Sequence, residues 1–129
     1  MSDLRTPLAR VRGLGSAHDG VHHWWVQRVS ALALIPLSLW FVISLMTQLG
    51  NADRVGVADW FESPFHALLT LTFLLTGLFH MRLGMQVIVE DYVHKKCMKT
   101  ALLLLNTYGS LALMALAFIS ICKLHFVGI

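Results

Sequence analysis

His80 and Arg82 stand inside the apolar run 65–89, where Arg82 is the only charge. Ionisable side chains are costly at membrane depth and are functional candidates there. A neutral imidazole in that setting can ligate haem iron, relay protons or hydrogen-bond a neighbouring helix. Spacing alone leaves these three uses open. A six-coordinate haem needs a second axial ligand. No other histidine is expected at the depth of His80, because His22, His23 and His94 belong toward one membrane face and His66 and His125 toward the other. If His80 holds a haem, the second ligand comes from another chain.

Eleven residues after His80 comes Asp91, which at 100° per residue returns to within about 20° of the same helix face. Gly84 shares that face, where it either clears space beside a flat cofactor or lets helices pack closely. Tyr92 reads as an aromatic anchor at the interface, or as a phenol donating a hydrogen bond to a quinone carbonyl. A second cluster is His22-His23-Trp24-Trp25-Val26-Gln27-Arg28. Arg28 offers a cation to a haem propionate or to an anionic lipid headgroup. Lipid is the expected partner of Arg5, Arg10 and Arg12, and helix packing the expected use of Asn106, Thr107 and Tyr108. Cys97 and Cys122 fall on opposite sides of the bilayer and cannot pair.

These groups are carried by three apolar runs. Residues 29–49 and 100–122 contain no charge, and 65–89 contains one. About 20 helical residues cross the hydrocarbon core, and backbone groups in lipid must be paired within the segment. All three runs are therefore expected to be transmembrane helices. The chain has 129 residues, 57% apolar and 13% charged. Soluble domains carry about 25% charged residues, so disorder, a nucleic-acid module and an ordinary small soluble enzyme are excluded. Two cysteines exclude a disulfide scaffold and a four-cysteine metal site. Residues 1–22 form an N-terminal arm, expected to be mostly irregular over 1–20 because of Gly13, Gly15 and Gly20. Residues 23–129 form the membrane domain. The arm lacks the apolar core of a signal peptide.

Seven of the ten Lys and Arg residues fall on the N-terminal flank and the second connection, and two on the other side. The positive-inside rule then gives an all-α membrane protein with a cytoplasmic N-terminus and a periplasmic C-terminus. Trp24 and Trp25 are expected at the inner interface, Arg28 at the inner edge of the first span, and Trp60 at the outer interface. Pro36 is a candidate kink in the first span.

The stretch from His80 through Gly84 to Asp91-Tyr92-Val93 resembles the hydrophobic membrane anchor subunits of succinate dehydrogenase, the smaller anchors of respiratory complex II. The histidine, the glycine four residues on and the Asp-Tyr-Val triplet are in register. Gly20-Val21-His22 followed by Arg28 is similar to the start of that family's first helix. The resemblance implies that His80 is an axial ligand of a haem b shared with the larger cytochrome b anchor subunit. It implies that Tyr92 bonds ubiquinone, that Asp91 lies beside that site, and that Arg28 and His22 lie near the haem propionates. Gln86 falls one place earlier than the glutamine of several relatives, and Arg82 stands where they carry a different side chain. Arg82 would then face a propionate or a polar group of the partner chain.

The implied task is electron delivery from succinate, oxidised at a flavin elsewhere, to a quinone at the membrane. The implied partners are the larger anchor, the iron–sulfur subunit, the flavoprotein subunit and membrane lipid, with no nucleic acid. The bacterial inner membrane is the implied location, in preference to the mitochondrial one. The anchor of a fumarate reductase and a haem-free structural subunit are the competing readings.

Overall fold

The structure is a computed structural model that describes Leu8 and residues 16–127. Helix α1 spans Ser16–Ser44 and closes in a π-helical turn, Leu45–Leu49. Helix α2 spans Arg54–Glu62, α3 Pro64–Tyr92 and α4 Lys96–Phe126. There is no strand among the described residues. Three segments are long and apolar enough to cross a membrane: Val21–Leu49, Pro64–Tyr92 and Lys96–Phe126.

Each helix outruns the apolar run that announces it. A run of uncharged residues ends at the first charge, whereas a helix continues while its backbone bonds can propagate. Helix α1 therefore starts at Ser16, which corrects the expected irregular arm over 16–20. Gly20 lies inside this helix; one glycine costs only about 1 kcal/mol, against a 29-residue element. Arg5, Arg10, Arg12, Gly13 and Gly15 lie outside the described residues. Helix α1 also continues through Pro36.

The first connection holds an element that the charge pattern concealed. Asp53 caps α2, its Oδ1 accepting from the Gly56 backbone N–H at 2.9 Å. Pro64 then opens α3, where its missing N–H is no loss. At the far end of α3 the Lys99 ammonium donates to the Glu90 carbonyl at 2.8 Å, a cation on carbonyls left free at a helix C-terminus. Only residues 93–95 separate α3 from α4, so the two helices must run antiparallel.

Helix α3 is the centre of the layer. Helices α1 and α4 both pack along it, while α2 bridges α3 and α4 at one end. Large apolar side chains point outward, among them Leu32, Leu105 and Leu116. The helix contacts bury Ser30, Ser44, Thr70 and Ser110 instead. Small residues let backbones approach where lipid supplies no hydrophobic drive between helices. Gly109 does not serve this purpose within the chain, since a Cβ there would meet nothing within 4 Å.

The aromatic core sits at the α2 end. Trp60, Phe61, Ala67 and Ile121 are buried together there. Trp60, expected at the outer interface, is a core residue at the α2 end of the layer. Helix α2, unseen in the sequence, folds it back onto α3.

Candidate functional site

His80 is half-buried on the side of α3 that faces α1. Its Nδ1 lies 3.0 Å from the Ser30 Oγ, and its Nε2 lies 3.4 Å from the Gln27 Nε2. The Ser30 hydroxyl has one proton and donates it to the Gln27 backbone carbonyl at 2.9 Å. Its oxygen is then an acceptor, so the His80 Nδ1 carries the ring proton and donates to it. The Nε2 is left with its lone pair. An imidazole whose far nitrogen is pinned by a hydrogen bond, with the near one unprotonated, is in the state a metal ligand requires.

The group that faces this lone pair is held weakly. The Gln27 amide reaches it only at 3.4 Å, beyond the usual N–H hydrogen-bond range. The Gln27 Oε1 is buried without a partner among the described residues. One turn along α3, Gly84 keeps the neighbourhood of the amide open, and a Cβ there would lie 3.5 Å from the Gln27 Nε2. That is an ordinary contact, so the glycine is not forced by helix packing. Beside Ser30, an open groove of about 490 Å³ runs between α1 and α3, walled by Trp25, Val29, Ala33, Thr76 and Phe79. His80 does not line this groove, and its Nε2 faces Gln27; a neutral nitrogen donor next to apolar walls is nevertheless the chemistry an iron porphyrin takes. His80 would hold the iron, with Ser30 fixing the ring.

The remaining candidates are not gathered at His80. Ser30 and Arg28 are two residues apart, about 200° around α1, so Arg28 leaves the α3 contact. Its guanidinium lies over the Trp24 ring at 3.9 Å, in cation–π range. Because Gln27 and Ser30 are level with His80, Arg28 stands at that depth rather than at the edge of the span. The edge had been set by the charge of Arg28 itself, and α1 in fact begins twelve residues before it. His22 lines the groove on α1. Asp91 and Tyr92 end α3 in exposed positions, with Tyr92 78% accessible. Tyr92 is twelve residues from His80, about 18 Å along the axis. The structure thus joins His80 to Gln27, Ser30 and Gly84 and leaves Tyr92 and Asp91 as a separate surface at the end of the helix.

Sequence reasoning missed Ser30 and gave Gln27 no role. The available signal was two polar residues three apart, on one helix face, at the start of an apolar run. Among the described residues, no group of three or more His, Cys, Asp or Glu side chains converges to hold a metal ion. Cys97 and Cys122 are free thiols near opposite ends of α4.

The family model of succinate dehydrogenase/fumarate reductase transmembrane subunits matches residues 2–121. The chain is similar to the succinate dehydrogenase hydrophobic membrane anchor subunit of Rickettsia bellii (strain RML369-C), 32% identical over 115 residues, covering 88% of this chain and 90% of that protein. It is also similar to the subunit of the same name from Paracoccus denitrificans, 35% identical over 104 residues, covering 81% and 80%. A third relative is the succinate dehydrogenase membrane anchor subunit of Reclinomonas americana, 32% identical over 78 residues, covering 59% and 65%.

Proposed function

Because the chain belongs to the family of succinate dehydrogenase/fumarate reductase transmembrane subunits, we propose that it is the small membrane anchor of a succinate:quinone oxidoreductase. In this reading it docks the flavoprotein and iron–sulfur subunits to a bacterial inner membrane and shares a haem b with the larger anchor subunit. It contributes to a ubiquinone site and holds no complete active site of its own. The observation that carries the reading is the pair of contacts at His80, Nδ1 at 3.0 Å from the Ser30 Oγ and Nε2 at 3.4 Å from the Gln27 amide, which suits a ring protonated on Nδ1 with Nε2 as a lone pair.

Haem b supplies one-electron storage between the clusters and the quinone. Ser30 orients the imidazole and fixes its proton on the far nitrogen. Gln27 swings off Nε2 at the cost of one 3.4 Å contact. His22 lines the groove as a candidate partner for a propionate, whereas Arg28 lies against Trp24 outside it and would have to swing round to reach one. Tyr92 presents its phenol to the quinone carbonyl, with Asp91 beside it. Quinone reduction takes up two protons, which suits a phenol placed where α3 meets water. The Lys and Arg residues of the N-terminal flank, with Lys95, Lys96 and Lys99 around the second connection, favour the cytoplasmic side for both.

The test is the reduced-minus-oxidised optical spectrum of the purified complex. His80→Ala is expected to abolish the b-type band while the subunits still copurify. An unchanged band in that variant removes the ligand. A wild-type complex with no b-type band supports the haem-free anchor, in which the Gln27 and Ser30 contacts are the whole purpose of His80.

A further inference from the structure

Arg82 is the only charge of the run 65–89, and the proposed function above gives it no role. It lies two residues from His80, about 200° around α3, so it points away from the α1 contact. Asn106 of α4 donates from Nδ2 to the backbone carbonyl of Arg82 at 2.9 Å, which holds the main chain but not the guanidinium. The Arg82 Nε is buried without a hydrogen-bond partner among the described residues. Gln86 and Glu90 follow at four-residue spacing along the same stripe. Gln86 Nε2 donates to the Glu90 Oε1 at 2.9 Å, so that carboxylate is turned to Gln86. Among the described residues, nothing compensates the cation at the deep end of this stripe.

Three sources of negative charge can be compared. Lipid headgroups are out of reach. Arg82 lies ten residues, about 15 Å, before Tyr92 and eighteen residues, about 27 Å, after Pro64. Helical side chains also lean toward the helix N-terminus, which here is the farther end. A second copy of this chain fails as well. A two-fold contact through this stripe would set Arg82 against Arg82, while the nearest acid on the stripe, Glu90, is about 12 Å along the axis. The remaining source is a different chain.

We propose that the Arg82–Gln86 stripe of α3 is the docking line for a transmembrane helix of a different subunit, which presents a carboxylate level with Arg82. The proposal rests on the reading above only in taking the chain to be one subunit of a complex; it needs neither haem nor quinone. Removing one partner of a desolvated ion pair strands the other charge, so the contact is sensitive to loss of the cation. A haem propionate offers the same chemistry from another source, and the test separates the two.

The experiment uses the whole complex in native membranes. The photo-crosslinker p-benzoylphenylalanine replaces Gln86, leaving Arg82 intact, and crosslinked peptides are mapped by mass spectrometry. The expected product joins this chain to a transmembrane helix of a different subunit, within about one turn of an Asp or Glu. Crosslinks to lipid alone, to a second copy of this chain, or to a helix with no acid in that window overturn the proposal. In a second arm, Arg82→Leu is expected to lower the share of this chain that copurifies in mild detergent by about tenfold, a loss of about 1.4 kcal/mol. Arg82→Lys is expected to fall between Arg82→Leu and the wild type. Full retention in Arg82→Leu overturns the docking line. Retention with loss of only the b-type band assigns the carboxylate to a propionate and overturns it too. If Arg82→Leu fails to accumulate, the crosslinking arm decides.

Discussion

The two ends of the helical layer are built on opposite terms. At the α2 end, Trp60, His66 and Trp40 form a cluster: His66 stacks on Trp60 at 4.4 Å with planes 5° apart, Trp40 stacks on Trp60 at 5.9 Å, and Trp40 and His66 are 6.3 Å apart. The Trp60 indole N–H donates to the Gln48 Oε1 at 2.7 Å. The His66 and His125 Nδ1 groups donate to the Trp60 and Phe61 carbonyls at 3.0 and 2.8 Å, which satisfies the C-terminal carbonyls of α2. Thr70 is the exception toward this end, its Oγ1 buried without a partner among the described residues. In the other half the exceptions accumulate. His23 Nε2, Gln27 Oε1 and Arg82 Nε are buried and unpaired among the described residues. A buried unpaired polar group costs about 1–3 kcal/mol, so the second half carries a penalty that other chains or ligands can relieve. Among the described residues, the chain satisfies most buried polar groups of one end by itself and leaves more of them open in the half that carries the candidate chemistry.

Breaking the closed end should cost the most stability. Trp60→Ala removes the stacked ring and its hydrogen bond to Gln48, and should destabilise the subunit by about 3–5 kcal/mol. Thermal unfolding of the detergent-solubilised chain checks this; a loss below about 1 kcal/mol would make the aromatic cluster incidental. Ser30→Ala reaches the open half. It deprives the His80 Nδ1 of its acceptor, with an expected cost of about 1–3 kcal/mol and a shifted b-type midpoint potential in redox titration. An unmoved potential would separate Ser30 from the ligand.

Smaller effects sharpen the contrast. His125→Ala loses one hydrogen bond to α2 and should cost about 1 kcal/mol, read as faster amide exchange in 54–62 with no change in quinone reduction. Tyr92→Phe should leave unfolding unchanged. It should lower quinone reduction several-fold while succinate oxidation by an artificial acceptor persists; equal loss of both would detach Tyr92 from the quinone. Gly109→Ala should be neutral in the isolated chain, where nothing approaches its Cβ position. A loss seen only in the assembled complex would mark that side of α4 as an interface.

The closed end was the less legible in the sequence. Three spans followed from charge-free runs because lipid forces the backbone into helices. Helix α2 did not, since Asp53, Arg54, Asp59 and Glu62 made 50–64 look like a plain polar connection. With α2 unseen, nothing in the sequence shows that Trp60 is folded into a core. The open half showed its candidate residues because a histidine and an arginine in an apolar run stand out. Their partners did not show, because Gln27 and Ser30 lie 53 and 50 residues from His80 and meet it only once the register of α1 against α3 is fixed. Span limits set by charge also displaced Arg28, which stands at the depth of His80 and not at an edge.

The central claim is that the free nitrogen of His80 is a metal ligand held ready by Ser30. The most direct measurement is imidazole rescue of a His80→Gly complex, followed by the b-type absorbance of the purified protein. The account predicts no band without imidazole and a saturable return of the band when imidazole is added. A full band in His80→Gly before any imidazole is added would contradict it.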